Sequence, residues 1–163
     1  MADTDADETT PPPKFGDCRE PRARIAHADP GPPLTETLPL PEAVTRRPVE
    51  EKSEAEWAYE RLILYIKNFE EQLDAEHEVA MGFAGGDAGV LRIEGVGYFD
   101  PDIVTFYGSD ETGARTQLVQ HVTQLNVMLR AMAKAQDAPE ARRIGFQLVQ
   151  DLEHEQEQDR DDA

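Results

Sequence analysis

The chain has 163 residues and a mass of 18.2 kDa, with 34 Asp and Glu against 16 Lys and Arg, a net charge of −18 and a pI near 4.4. So acidic a surface repels nucleic-acid backbones and anionic lipid, which reward clustered Lys and Arg, so neither a nucleic-acid nor a membrane partner is expected. No apolar run is long enough to span a bilayer, and the acidic start, Met1 to Asp7, is unlike a secretory signal. The single Cys18 forbids an intramolecular disulfide, and a reducing cytoplasm is the expected location.

Residues 1–52 hold 10 of the 12 prolines and one aromatic, Phe15. Each Pro removes a backbone donor and keeps its predecessor out of the α region. With little apolar surface to offset ordering entropy, 1–52 reads as a disordered Pro-rich acidic tail. Pro30-Gly-Pro-Pro33 and Leu38-Pro-Leu-Pro41 are its candidate docking peptides. Residues 151–163 read as an acidic C-terminal tail or a fraying helix end. The folded part is then 53–150.

Ser53-Glu54-Ala55-Glu56 has a capping-box pattern. Behind it Ala55, Tyr59, Leu62, Ile66, Phe69 and Leu73 form one helical stripe, which predicts a helix from Glu54 to about Asp74. The period then changes to two. Val79, Met81 and Phe83 predict a strand, a glycine-rich loop follows at 85–89, and Val90 to Tyr98 predicts a second strand. Asp100-Pro101-Asp102 is a turn, and Ile103 to Tyr107 a third strand. Asp110, Thr112 and Gly113 are read as opening a second helix, with Ala114, Leu118, Val122, Leu125, Leu129 and Met132 as its stripe. Arg143 to Val149 is read as the last strand; the rival reading puts Gln147 to Gln156 in a terminal helix. The expected fold is α+β: a two-layer sandwich in the order α-β-β-β-α-β, with two helices on one face of a mainly antiparallel four-stranded sheet.

Motifs for chemistry are weak. The Gly82–Gly89 loop joins strands, contains Asp87 and matches no phosphate-binding spacing. His77, Glu78 and His121 lack metal-site spacing, so no metal and no cofactor are expected. Ser53 and Ser109 have no evident base, and Asp100 and Asp102 suit a turn. Arg142-Arg143 is read as an anchor for carboxylates.

Two features point to a partner. On the first helix, Trp57 and Leu64 project roughly opposite Leu62, Arg61 and Asn68 share that outer face, and Trp and Arg dominate interface hot spots. In the second predicted helix, fourteen residues from Thr116 to Leu129 carry no formal charge in a chain that is 31% charged, with Gln120, Gln124 and Val127 on its outer face. Depletion of charge is an interface signature. The expected function is a non-catalytic protein–protein interaction domain that self-associates, with a homodimer as the first candidate assembly. The alternative is a ligand-binding domain or enzyme whose pocket between sheet and helices uses Tyr98, Tyr107, His121 and Arg143. Mimicry of nucleic acid by the acidic surface ranks third.

The strings Gly97-Tyr98-Phe99-Asp100-Pro101, Val104-Thr105-Phe106-Tyr107-Gly108, Gln117 to Leu125 and Arg142-Arg143-Ile144-Gly145-Phe146 resemble an uncharacterised bacterial domain family of unknown function, frequent in alphaproteobacteria. The resemblance covers about 55–150. It implies a bacterial cytoplasmic domain of that extent and supplies no activity, cofactor or catalytic residue.

Overall fold

A computed structural model of the chain describes residues 23–28, 31–83 and 89–162. The element order is α1 (Glu42–Thr45), α2 (Glu54–Glu71), β1 (His77–Phe83), β2 (Val90–Phe99), β3 (Ile103–Ser109), β4 (Arg115–His121), β5 (Val127–Ala133) and α3 (Gly145–Asp161), with short 3-10 turns at Thr35–Thr37, Val49–Glu51 and Val122–Gln124. The fold is α+β. Its sheet is antiparallel and five-stranded, in the order β4-β3-β2-β1-β5.

The long helix α2 forms where the capping pattern and the 3.6-residue period agree. Ser53 Oγ accepts the Glu56 amide at 3.0 Å. Glu56 does not reach back as a capping box requires; it pairs instead with Arg47 at 2.7 Å. The Ser53 hydroxyl also donates to Asp100 Oδ1 at 2.5 Å, and the Ala55 amide to the Pro101 carbonyl at 3.2 Å, which fastens α2 to the β2–β3 turn. The inward stripe of α2, including Ala55, Tyr59, Leu62, Ile63 and Ile66, is buried against Met81, Ile93, Val104 and Phe106 of the sheet. Burial of such aliphatic and aromatic side chains is worth about 1.5–3 kcal/mol each.

The region 110–132 forms strands β4 and β5 rather than a helix. Asp110 Oδ1 accepts the amides of Thr112 and Ala114, both at 2.9 Å, and the Thr112 hydroxyl at 2.6 Å. Gly113 sits at φ +85°, which a helix start does not allow. The chain therefore turns back from β3 into β4, in unbroken register from Ser109↔Arg115 to Ile103↔His121. From His121 the link 122–126 crosses to the opposite edge of the sheet, where β5 pairs with β1 from Phe83↔Val127 to His77↔Ala133. Leu118, Val122, Leu125 and Leu129 fit a helical stripe, but in the fold they belong to two edge strands and the link between them.

Residues 143–149 are likewise not a strand. They lead into α3, so the rival reading of a terminal helix holds, and helix covers most of the expected C-terminal tail. Leu148 and Leu152, one turn apart, are the buried hydrophobic side chains of α3 among the described residues. The sheet thus has five strands rather than four, and its second long helix is C-terminal.

The expected N-terminal tail also meets the fold. Within 31–52, Ala43 and Val44 are buried in the core, and Asn68 of α2 and Gln72 just past its end donate to the Pro33 carbonyl at 3.3 and 3.1 Å. Proline blocks regular structure here but not docking, since Pro41 and Pro48 each precede a short helical turn. The remainder of the expected tail at 1–22, Pro30, and most of the glycine-rich loop lie outside the described residues.

Candidate functional site

The outward face of α2 brings together Trp57, Arg61 and Leu64, as their helical spacing predicts. They line a half-open cleft of about 540 Å³ between α2 and the preceding segment, which contributes Leu38 and Leu40 to its wall. Leu125, on the crossing link, closes one side. The Arg61 guanidinium lies 4.6 Å from the centre of the Trp57 ring, and the Lys52 ammonium 5.2 Å from it. Arg61 Nε donates to the Trp57 carbonyl at 3.1 Å. Partial burial pulls the Arg61 guanidinium below its ordinary pKa, and Arg61 has no ion pair among the described residues. Further along, the Tyr65 hydroxyl donates to Glu36 Oε1 at 2.5 Å and pins the segment to the helix. That hydrogen bond pushes the Tyr65 phenol up, with burial adding to it. The chain's own N-terminal segment therefore covers part of this face.

Beneath the cleft lies a buried ionic layer. Lys52 Nζ reaches Glu60 Oε2 at 2.7 Å and the Val44 carbonyl at 2.5 Å, with both charged side chains out of solvent. Burial raises the Glu60 carboxyl pKa, and Lys52 opposes the rise. Tyr59 and Tyr98 pack beside this layer with tilted rings, their centres 5.0 Å apart. Burial, followed by the charges of Glu56 and Asp100, pushes the Tyr98 phenol up to about 12. The small, partly open cavity here, about 30 Å³, is of water size.

The four residues of the alternative pocket do not converge. Tyr98 points inward onto Tyr59. Tyr107 is exposed on the opposite sheet face, where it accepts from the Thr105 hydroxyl at 3.3 Å. His121 ends β4, with Nε2 3.0 Å from Asp102 Oδ2 and Nδ1 2.7 Å from Thr123 Oγ1. The Thr123 amide also reaches Nδ1, at 3.2 Å, so the imidazole closes the 3-10 turn that follows. Tyr98 lines the smaller cavity, whereas Tyr107 and His121 line neither. Arg143 donates to the carbonyls of His77 and Asp74, both at 2.7 Å, and holds the α2–β1 connection.

Gln120, Gln124 and Val127 do not share a helix face. Gln120 lies in β4 opposite the buried Val104, and its Oε1 is buried without a hydrogen-bond partner among the described residues. Gln124 is exposed on the crossing link, and Val127 begins β5 and packs partly on the core. The uncharged run instead supplies most of edge strand β4 and the start of edge strand β5.

Several structural residues escaped sequence reasoning. Glu70 is buried and binds the start of α3. Arg142 is an anchor, as its doublet suggests, but chiefly for backbone: it donates to the Ile93 carbonyl, its own amide donates to Glu78 at 2.9 Å, and Glu94 lies 3.6 Å away. It fills the place where β1 and β2 part, since they pair only at Met81↔Leu91 and Gly82↔Val90. Lys52 had one available signal, a lone cation one residue before a capping Ser. Among the described residues no group of three or more His, Cys, Asp or Glu is placed to hold a metal ion. No described helix is long and apolar enough to cross a membrane.

No curated protein and no solved structure matches the chain. The model of one family, described as a family of unknown function (DUF6173), matches residues 48–147, from just before Lys52 to just past the Glu70–Gly145 contact, and the chain belongs to that family.

Proposed function

We propose that this domain is a non-catalytic protein–protein interaction domain that associates with a second copy of itself. The observation that carries this reading is the placement of the uncharged run on open sheet edges of a chain with a net charge of −18. Two such molecules repel over most of their surface and meet most readily where net negative charge is absent. Exposed apolar side chains support the reading: Val119, Tyr107 and Phe99 stand on the outer sheet face and Met128 on β5. Sedimentation velocity over a wide concentration range tests it. A mass that rises to twice 18.2 kDa is expected. A monomer at the highest attainable concentration ends the proposal.

A second reading is favoured by the α2 cleft. Its apolar wall and the Arg61 guanidinium, which has no ion pair among the described residues, suit a small amphipathic ligand with an anionic head. Trp57 is the only tryptophan, so its fluorescence reports directly on this cleft. Titration with dodecanoate should quench or shift that emission, and Arg61→Ala should weaken the response. An unchanged spectrum rejects the second reading.

A further inference from the structure

Strand β4 has a definite hydrogen-bonding phase. The β3–β4 ladder is bracketed by the Asp110 amide on the Ala114 carbonyl at 3.0 Å and the Val122 amide on the Asp102 carbonyl at 2.7 Å. Antiparallel ladders alternate, so Thr116, Leu118 and Gln120 direct their backbone groups to β3. Arg115, Gln117, Val119 and His121 direct theirs to the open side. Among the described residues no other element bonds to that side. Proteins ordinarily protect such an edge with charge, proline, a bulge or a covering segment. Between Thr116 and Gln120 there is neither charge nor proline, and the β3–β4 register shows no bulge.

We infer that two copies of the chain join edge to edge along β4, antiparallel, about a two-fold axis at Leu118, so that their sheets become one. This rests on the self-association proposed above and assigns its site. The register follows from the strand itself. Only an axis at Leu118 pairs all seven residues of each β4. In that register Gln117 faces Val119 of the second copy, and Arg115 faces its His121. All four outward-directed residues then fall in hydrogen-bonded pairs, while the two Leu118 side chains meet on the inner face at the closer, non-bonded position.

Charge favours the same register. Arg115 makes no ion pair or side-chain hydrogen bond among the described residues. In the dimer it faces the second copy's His121, whose Nε2 is held 3.0 Å from Asp102. A cation thus meets a carboxylate at each end of the interface. The other open edge, β5, is disfavoured for a symmetric pair. The equivalent central register sets Arg130 directly against Arg130 of the second copy, and like charges so placed repel. Pairing β4 with β5 of a neighbour leaves edges free at both ends and does not close.

The test uses the full chain in sedimentation equilibrium. Val119→Pro removes an amide that points to the open side, so the β3–β4 ladder survives. Val119→Lys places charge on the edge at a side chain that is 58% exposed. Each should weaken the dimer roughly thirtyfold or more, because symmetry deletes every contact twice. Circular dichroism should be unchanged. Arg115→Asp should weaken the dimer, and adding Asp102→Arg should restore it. If Val119→Pro fails to fold, Val119→Lys decides. A dimer that both Val119 variants leave intact overturns the β4 interface but not self-association. A wild-type monomer overturns both.

Discussion

Glu70 Oε1 accepts the Gly145 amide at 2.8 Å, while its other oxygen accepts the Ile144 amide at 2.9 Å. A buried carboxylate at the end of α2 thereby serves as the cap of α3, whose own residue at that place, Ile144, has no side-chain hydrogen bond to offer. The approach is so close that only glycine fits. A Cβ at position 145 would lie 2.8 Å from Lys67 Cα and 3.1 Å from Glu70 Oε1. Gly145→Ala should therefore cost about 1–3 kcal/mol in urea denaturation. Glu70→Gln, which keeps one acceptor oxygen, should cost less than Glu70→Ala. An unaltered midpoint in Gly145→Ala would show that the α2–α3 contact is looser than described.

Lys52 and Glu60 form a pair without access to water. Lys52→Met should destabilise by about 3–5 kcal/mol, because it strands a buried carboxylate. The double change Lys52→Met with Glu60→Leu should recover much of that loss, since an apolar pair of similar size needs no desolvation. Chemical denaturation of the three variants checks the order. Equal losses in the single and double variants would mean that packing of the Lys52 stem dominates.

The phenols offer a pH test. Burial is the first cause of the raised pKa of both Tyr59 and Tyr98, and Tyr98 is pushed up to about 12. A folded-state pKa above the unfolded value of about 10 means that the stabilisation is complete below about pH 10. It is lost as pH rises through about 12 for Tyr98. Phenolate absorbance should show a late step that Tyr98→Phe reduces, and unfolding should begin in the same window. Complete ionisation near pH 10 would mean that water reaches this layer.

Arg142 spans the gap between β1 and β2, bonding the Ile93 carbonyl while its own amide binds Glu78. Arg142→Ala should speed hydrogen exchange in β1 and β2 and cost about 1–3 kcal/mol. Arg142→Lys should not restore protection, because an ammonium lacks the fork that reaches Ile93 and Glu94 together. Uniform exchange across the sheet in both variants would remove this role.

Association of two chains of charge −18 should respond to salt. Screening shortens the range of repulsion to about 10 Å at 0.1 M ionic strength. The dimer should tighten as salt rises from low values, measured by sedimentation. A dimer that weakens throughout would place attractive ion pairs, not the uncharged edge, in control.

Legibility varied along the chain. Helix α2 was readable because Ser53 and the stripe from Ala55 to Ile66 support one structure locally, and β2 and β3 because alternation and β-branched residues agree. The Trp57, Arg61 and Leu64 face followed from helical geometry alone. That part of this face is covered by Thr35 to Leu40 was not readable, since a Pro-rich segment carries no period and docks by a few contacts such as Tyr65 to Glu36. Glu70 was unreadable as a cap because its target lies 75 residues away.

Composition and local period by themselves determined an acidic α+β chain with α2, the first three strands and an uncharged run beyond them. Tertiary structure decided what that run became. Leu118, Val122, Leu125 and Leu129 satisfy a helical spacing, while Thr116, Leu118 and Gln120 share one face of a strand, so the same stretch of chain, with Leu118 in both sets, admits both periods. The deciding terms were the Asp110–Gly113 turn, which folds β4 onto β3, and the edge of β1, which receives β5 from some fifty residues away. Ile144, Phe146 and Leu148 were ambiguous in the same manner, and the carboxylate of Glu70 with the buried contacts of Leu148 and Leu152 resolved them as helix. Backbone groups in such segments must be paired somewhere, and only the assembled neighbours specify where.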